Sequence, residues 1–314
     1  MDSIGDNTVK RVFLVLTVFI CAASLHASGS NETKPEELGR PIVFAANYPL
    51  YYICQRYSGD FIELIWPFAD DEDPAFWEPL DVQIRELQTA DLLILNGAEY
   101  EKWLEYSFID PNLAVDSSSR FKEDYIVTTG GTSHSHGAGA LHDHGATAFS
   151  LWLDLELYAR QAEAVHKALL TLLPAEKEIL EQRHGELLQE LDKLDQSFHT
   201  AGAIFKSEVL LASHPIYQYF SRAYTGEVKS LLLEPDIFPS EEDWDLLADL
   251  KKENNSSLMI WEGKPVLETQ KKLKEMDIIW VVISPGFNKP LEGDYLDILK
   301  KNLEELESLR DLNK

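Results

Sequence analysis

Residues 175–200 constrain the fold more than any other stretch of the chain. Leu180, Leu187, Leu191, Leu194 and Phe198 recur at spacings of seven, four, three and four, which places them on one face of a single helix. Pro174 stands before this segment and Gly202 after it, and both suit helix ends. At about 1.5 Å per residue the helix would reach roughly 40 Å. That is long enough to run the length of two small lobes as a spine, and a rigid spine predicts rocking of the lobes rather than wide hinge closure.

Apolar, β-rich runs alternate with helical or loop segments on both sides of this helix. Before it they fall at Ile42–Ala46, Phe61–Trp66, Leu92–Leu95 and Tyr125–Thr128; after it, at Val209–Ala212, Val228–Leu233, Leu258–Trp261 and Ile278–Ile283. Such alternation argues for parallel strands, because parallel neighbours need a crossover and the crossover helices cover the faces. The expected class is therefore α/β: two lobes, each a parallel four-stranded sheet with flanking helices, joined by the long helix. The boundaries read as 29–173 for the first lobe, 174–201 for the linking helix and 202–314 for the second lobe. Leu296, Leu299, Leu303, Leu306 and Leu309 predict a closing helix on the second sheet.

Lys10 and Arg11 lead into an apolar stretch, Val12 to Ala23, followed by Ser24, Ala27, Ser28 and Gly29, the layout of a secretory signal. Residues 1–28 are expected to be removed, leaving an exported chain outside the cytoplasm. Only Cys54 then remains, so no disulfide within the chain is expected, and its setting beside Tyr51, Tyr52 and Ile53 suits a packed thiol. With 28 Lys plus Arg against 54 Asp plus Glu, the net charge is −26. Such a surface repels nucleic acid and raises the local concentration of cations.

His134, His136, His142 and His144 place four of the nine histidines within eleven positions of a loop rich in Gly, Ser and Ala. Neutral imidazole is the commonest metal ligand, and a flexible loop can gather alternate histidines around one ion. No phosphate-binding glycine loop, nucleophile elbow or paired cysteine motif accompanies them, so no enzymatic chemistry is expected. Ser213 beside His214 is no triad, because chain neighbours rarely face each other for proton transfer.

A series of landmarks then appears in order. Ala45-Ala46-Asn47-Tyr48-Pro49-Leu50 is followed by Gly59-Asp60. Ala90-Asp91-Leu92-Leu93-Ile94-Leu95-Asn96-Gly97-Ala98-Glu99-Tyr100-Glu101-Lys102-Trp103-Leu104 comes next, and Leu151-Trp152-Leu153-Asp154 after it. Ser213-His214-Pro215 with Tyr219-Phe220, Glu234-Pro235 and Pro239-Ser240 complete the series. In this order they resemble the zinc and manganese substrate-binding proteins of metal ABC transporters, over roughly residues 40–310.

The resemblance implies a monomer outside the cytoplasmic membrane that delivers a divalent metal to an ABC permease, zinc (Zn2+) foremost and manganese second. It also implies a cleft with three histidines and a carboxylate, or fewer histidines and more carboxylates. Here the chain departs from the pattern. The first ligand position, after Asp73-Pro74, is Ala75, followed by Phe76 and Trp77; the second is Ser150; the third is His214; the fourth, before Pro285, is Ser284. One imidazole with water would not outcompete bulk coordination. The resemblance implies that the His134–His144 loop is an accessory metal-collecting segment; a second reading is a compensated site in which His142 or His144 folds back toward His214, and Glu262 and Glu78 add oxygens. The alternative is a paralogue whose cleft, lined by Phe76, Trp77, Trp152, Ser150 and Ser284, binds a small organic ligand or a protein partner without metal.

Overall fold

A computed structural model describes residues 39–69, 72–128, 133–134, 142–143 and 147–312. The predicted removal of residues 1–28 lies outside these residues. The first lobe contains β1 (Ile42–Ala45), α1 (Tyr48–Ser58), β2 (Glu63–Ile65), α2 (Asp81–Leu87), β3 (Leu92–Leu95) and β4 (Ala114–Asp116). Its strands form one parallel sheet in the order β2-β1-β3-β4. β1 and β3 are almost wholly buried, as the continuous apolar runs require of central parallel strands.

A short antiparallel pair follows, β5 (Ser133–His134) with β6 (His142–Asp143). Then come α3 (Leu155–Leu172) and the spine, α4 (Lys177–Gly202). The second lobe contains β7 (Val209–Ala212), α5 (Gln218–Tyr224), β8 (Glu227–Ser230), α6 (Glu241–Asn254), β9 (Leu258–Trp261), α7 (Leu267–Glu275), β10 (Ile279–Val282) and α8 (Tyr295–Leu312). Its sheet is again parallel, in the order β8-β7-β9-β10, so the two lobes repeat one topology.

The spine is as the periodicity predicts. Leu180, Leu187, Leu191 and Phe198 are buried along one face, and the 26-residue helix is about 39 Å long. Its last residue, Gly202, lies so close to α5 that a Cβ there would stand 2.3 Å from the Tyr224 carbonyl oxygen. One contiguous apolar core runs from the first sheet through α3 and α4 to the second, and it includes α8. Cys54 is buried and unpaired, and burial pushes its thiol up to about 12, so it packs as a small apolar group.

One strand differs from expectation. The fourth strand of the first sheet is β4, while Tyr125–Thr128 contributes only an isolated antiparallel bridge from Val127 to Thr147. β4 is three half-buried residues after a Pro111 turn, too short to show a period. The 125–128 run instead joins the satellite cluster around Tyr219, whose hydroxyl accepts a hydrogen bond from the Ile126 amide. Among the described residues no helix is long and apolar enough to cross a membrane.

Candidate metal centre

In an open parallel sheet, ligands bind beyond the carboxyl ends of the strands where the strand order reverses. In the second lobe that point lies between β7 and β9. His214 is the second residue after β7, and Glu262 is the first after β9. Glu234 stands beyond β8, on a segment tied to the sheet by hydrogen bonds from Leu231 to Ala212 and from Leu233 to Ser213. His214 is 1% exposed. Its Nε2 is 3.3 Å from Glu234 Oε1, and its Nδ1 is 3.3 Å from Glu262 Oε1. The three side chains bring ligand atoms within 4.8 Å of one another.

Between the lobes, His214 and Glu262 face a cavity of about 20 Å³, shared with Asp73, Phe76, Tyr100 and Trp152. That is room for about one water or one ion. Among the described residues, Asp73 is the one first-lobe carboxylate on it. It also caps the turn at Pro74–Phe76, accepting a hydrogen bond from the Ala75 amide.

The other sequence candidates are placed as follows. Ser150 is buried and donates its hydroxyl to the Ile216 carbonyl, a link between the lobes. The Trp152 indole donates to the Pro285 carbonyl at 2.8 Å. Ser284 does not reach the small cavity. Asn302 holds it on both sides, accepting from its amide and donating to its carbonyl, and it lines a second cavity of about 590 Å³ beside Glu262. Trp77, expected to line the cleft, packs in the first-lobe core against Phe44, Phe68 and Trp103, because its apolar ring finds more contact there. Glu78 is exposed and outside the small cavity. His136 and His144 lie outside the described residues. His134 and His142 are described in backbone only, as directly opposed residues of the β5–β6 pair.

The structure brings the sequence candidates His214 and Glu262 together and adds Glu234 and Asp73 beside them. Both carry a sequence signal: Glu234 is the landmark residue next to Pro235, and Asp73 immediately precedes Pro74, whereas the family pattern places its donor after the proline.

The second-lobe loop 285–289 borders the small cavity through Pro285 and Phe287 and is fastened to the first lobe. Tyr48 donates its amide to the Phe287 carbonyl at 3.0 Å, and Asn288 donates its side-chain amide to the Glu72 carbonyl at 2.9 Å. The Lys289 ammonium sits 3.8 Å from the Tyr51 ring centroid and 4.9 Å from that of Trp66, a cation–π clamp.

Comparison with known proteins agrees with this architecture. Residues 43–309 match the family model described as zinc-uptake complex component A, periplasmic. The manganese ABC transporter substrate-binding lipoprotein PsaA of Streptococcus anginosus is 26% identical over 220 residues, 69% of this chain and 70% of that protein. The iron ABC transporter substrate-binding lipoprotein MtsA of Streptococcus pyogenes serotype M1 is 27% identical over 217 residues, 68% of this chain and 69% of that one. The Zn(II)-bound ZnuA-like domain of Streptococcus pneumoniae AdcA superposes with a TM-score of 0.71 at 18% identity, covering 87% of this chain and all of that domain. The match over nearly the whole two-lobed unit makes this chain a member of the ZnuA family, the substrate-binding components of metal ABC transporters.

Proposed function

We propose that the chain captures a divalent transition metal, zinc foremost, outside the cytoplasmic membrane and delivers it to an ABC permease. The observation that carries this reading is the buried His214 imidazole held between two carboxylates, each at 3.3 Å. Two ligand atoms on one tetrahedral zinc stand about 3.4 Å apart, so little movement is needed to admit the ion. One imidazole presents one nitrogen to one ion, and Glu262, unlike Glu234, faces the small cavity with His214. The ion then sits on Nδ1 with Glu262, and Asp73 offers oxygen from the first lobe. Glu234 holds the Nε2 proton, which fixes the tautomer and strengthens the ligand.

This division of roles replaces two of the three missing donors, with Glu262 and Asp73, and needs no loop histidine. His134, His136, His142 and His144 then serve as an accessory collecting segment. At mixed nitrogen and oxygen sites zinc binds more tightly than iron(II) or manganese, which supports zinc as the first ion to test; the oxygen-rich set makes manganese the competitor. The organic-ligand alternative lacks room in the 20 Å³ cavity and would need the 590 Å³ cavity beside Glu262 instead.

Zinc titration calorimetry on the chain and its variants tests the assignment. His214→Ala is expected to lose the cleft site, with affinity down on the order of a hundredfold or more. Glu234→Gln is expected to weaken it by about 10–100-fold. Unchanged affinity in His214→Ala, with all binding lost when the four loop histidines become alanine, would move the function to the loop.

A further inference from the structure

We propose that Glu163, His166 and His184 form a second transition-metal site, separate from the cleft, that pins the spine helix α4 to α3. Glu163 and His166 are three residues apart on α3 and so share one face, while His184 comes from α4. A Glu and a His at this spacing, completed by a residue from a facing helix, is an arrangement by which helix pairs hold metals. The three residues bring ligand atoms within 4.8 Å of one another.

The details fit a ligand set better than a surface ion pair. His184 Nδ1 bonds the Tyr57 hydroxyl at 2.8 Å, which leaves Nε2 facing Glu163 Oε2, also at 2.8 Å. A hydrogen bond on one ring nitrogen that fixes the other for coordination is the usual support of a metal-binding histidine. His166 is 8% exposed, and its Nε2 is buried with no hydrogen-bond partner. A buried polar atom left unpaired is costly, and an ion beside it removes that cost. Lys167, 2.6 Å from Glu163 Oε1, is half-exposed and free to swing into solvent when an ion takes over the carboxylate.

The two rings lie nearly parallel, 11° between planes with centroids 4.1 Å apart, so their lone pairs do not yet converge. Coordination needs His166 to turn about its outer side-chain torsion, and its unbonded Nε2 opposes no such turn. Two imidazoles and a carboxylate suit zinc and its first-row neighbours.

Crystals of the full chain grown with zinc and measured at the zinc absorption edge test this directly. The expected result is an anomalous peak bonded to His184 Nε2 and Glu163; peaks confined to the cleft or the loop would overturn it. In solution, cobalt(II) titration uses full chain carrying His214→Ala and alanine at His134, His136, His142 and His144, so that the other candidate donors are silent. Saturable binding is expected there, weakened about 10–100-fold by Tyr57→Phe and at least tenfold by His166→Gln. Far-ultraviolet circular dichroism confirms that each variant is folded. No binding in the background, or equal affinity in folded His166→Gln, would refute the second site. Either result is independent of whether the cleft binds metal.

Discussion

The two lobes share one strand order and fill the same two positions with opposite chemistry. The second residue after the first central strand is Asn47 in one lobe and His214 in the other; the first residue after its neighbour is Asn96 in one and Glu262 in the other. Asn47 donates to Asn96 Oδ1 at 3.3 Å, and Gln161 donates to the same oxygen at 3.1 Å. The Asn96 amide donates in turn to the carbonyls of Gly97 and Phe149. Neutral amides satisfy one another without a ligand. An imidazole between carboxylates instead concentrates negative charge around one lone pair. The same backbone slot therefore holds a structural lock in one lobe and an imidazole between carboxylates in the other, and two of the three proposed donors, His214 and Glu262, belong to the second lobe.

This contrast can be broken at several points, the largest in pH. Glu101 is buried and accepts hydrogen bonds from the Asn96 and Gly97 amides; burial outweighs those bonds and raises its carboxyl from the ordinary 4.5 to about 8. Between these values the folded chain holds a proton that the unfolded chain has lost. The stabilisation is full below pH 4.5 and disappears as pH rises through about 8, on the order of 5 kcal/mol in all. Urea unfolding from pH 4.5 to 9 should show the decline in the native chain and a flatter profile in Glu101→Gln. Next in size, Asn96→Ala should cost about 2 kcal/mol of stability by leaving its amide partners unpaired, with zinc affinity unchanged in calorimetry. If zinc affinity fell with it, the first lobe would be more than a lock. The smallest effect is expected for Asp73→Asn, less than tenfold in zinc affinity, because Asp73 is one oxygen on a site built from the second lobe. A loss as large as that of His214→Ala would make the two lobes equal partners.

Much of the fold is legible in the sequence because central parallel strands and an amphipathic spine leave continuous or periodic apolar signals. β7 and β9 match their predicted runs, and α4 begins two residues inside the predicted start. β4 was not legible, since three residues carry no period and the better-looking run at 125–128 answers to Tyr219 in another element. The cleft was half legible. His214 and Glu262 announce themselves as a histidine and a carboxylate at strand ends, whereas the role of Glu234 depends on a 3.3 Å approach that the chain order does not encode. For Glu163, His166 and His184 only the spacing of the first two is visible in sequence; the third is eighteen residues further along on a different helix, brought in by helix packing.

The contacts of loop 285–289 with the first lobe bear on timing. Its bonds are backbone carbonyls, an asparagine amide and a lysine on two aromatic rings, none of which needs an ion. For an ion that enters only when this segment lifts, the loading rate would level off at high ion concentration instead of rising in proportion. Residence time would be set by the same latch, which lets a carrier hold its cargo longer than the strength of its ligands alone would allow.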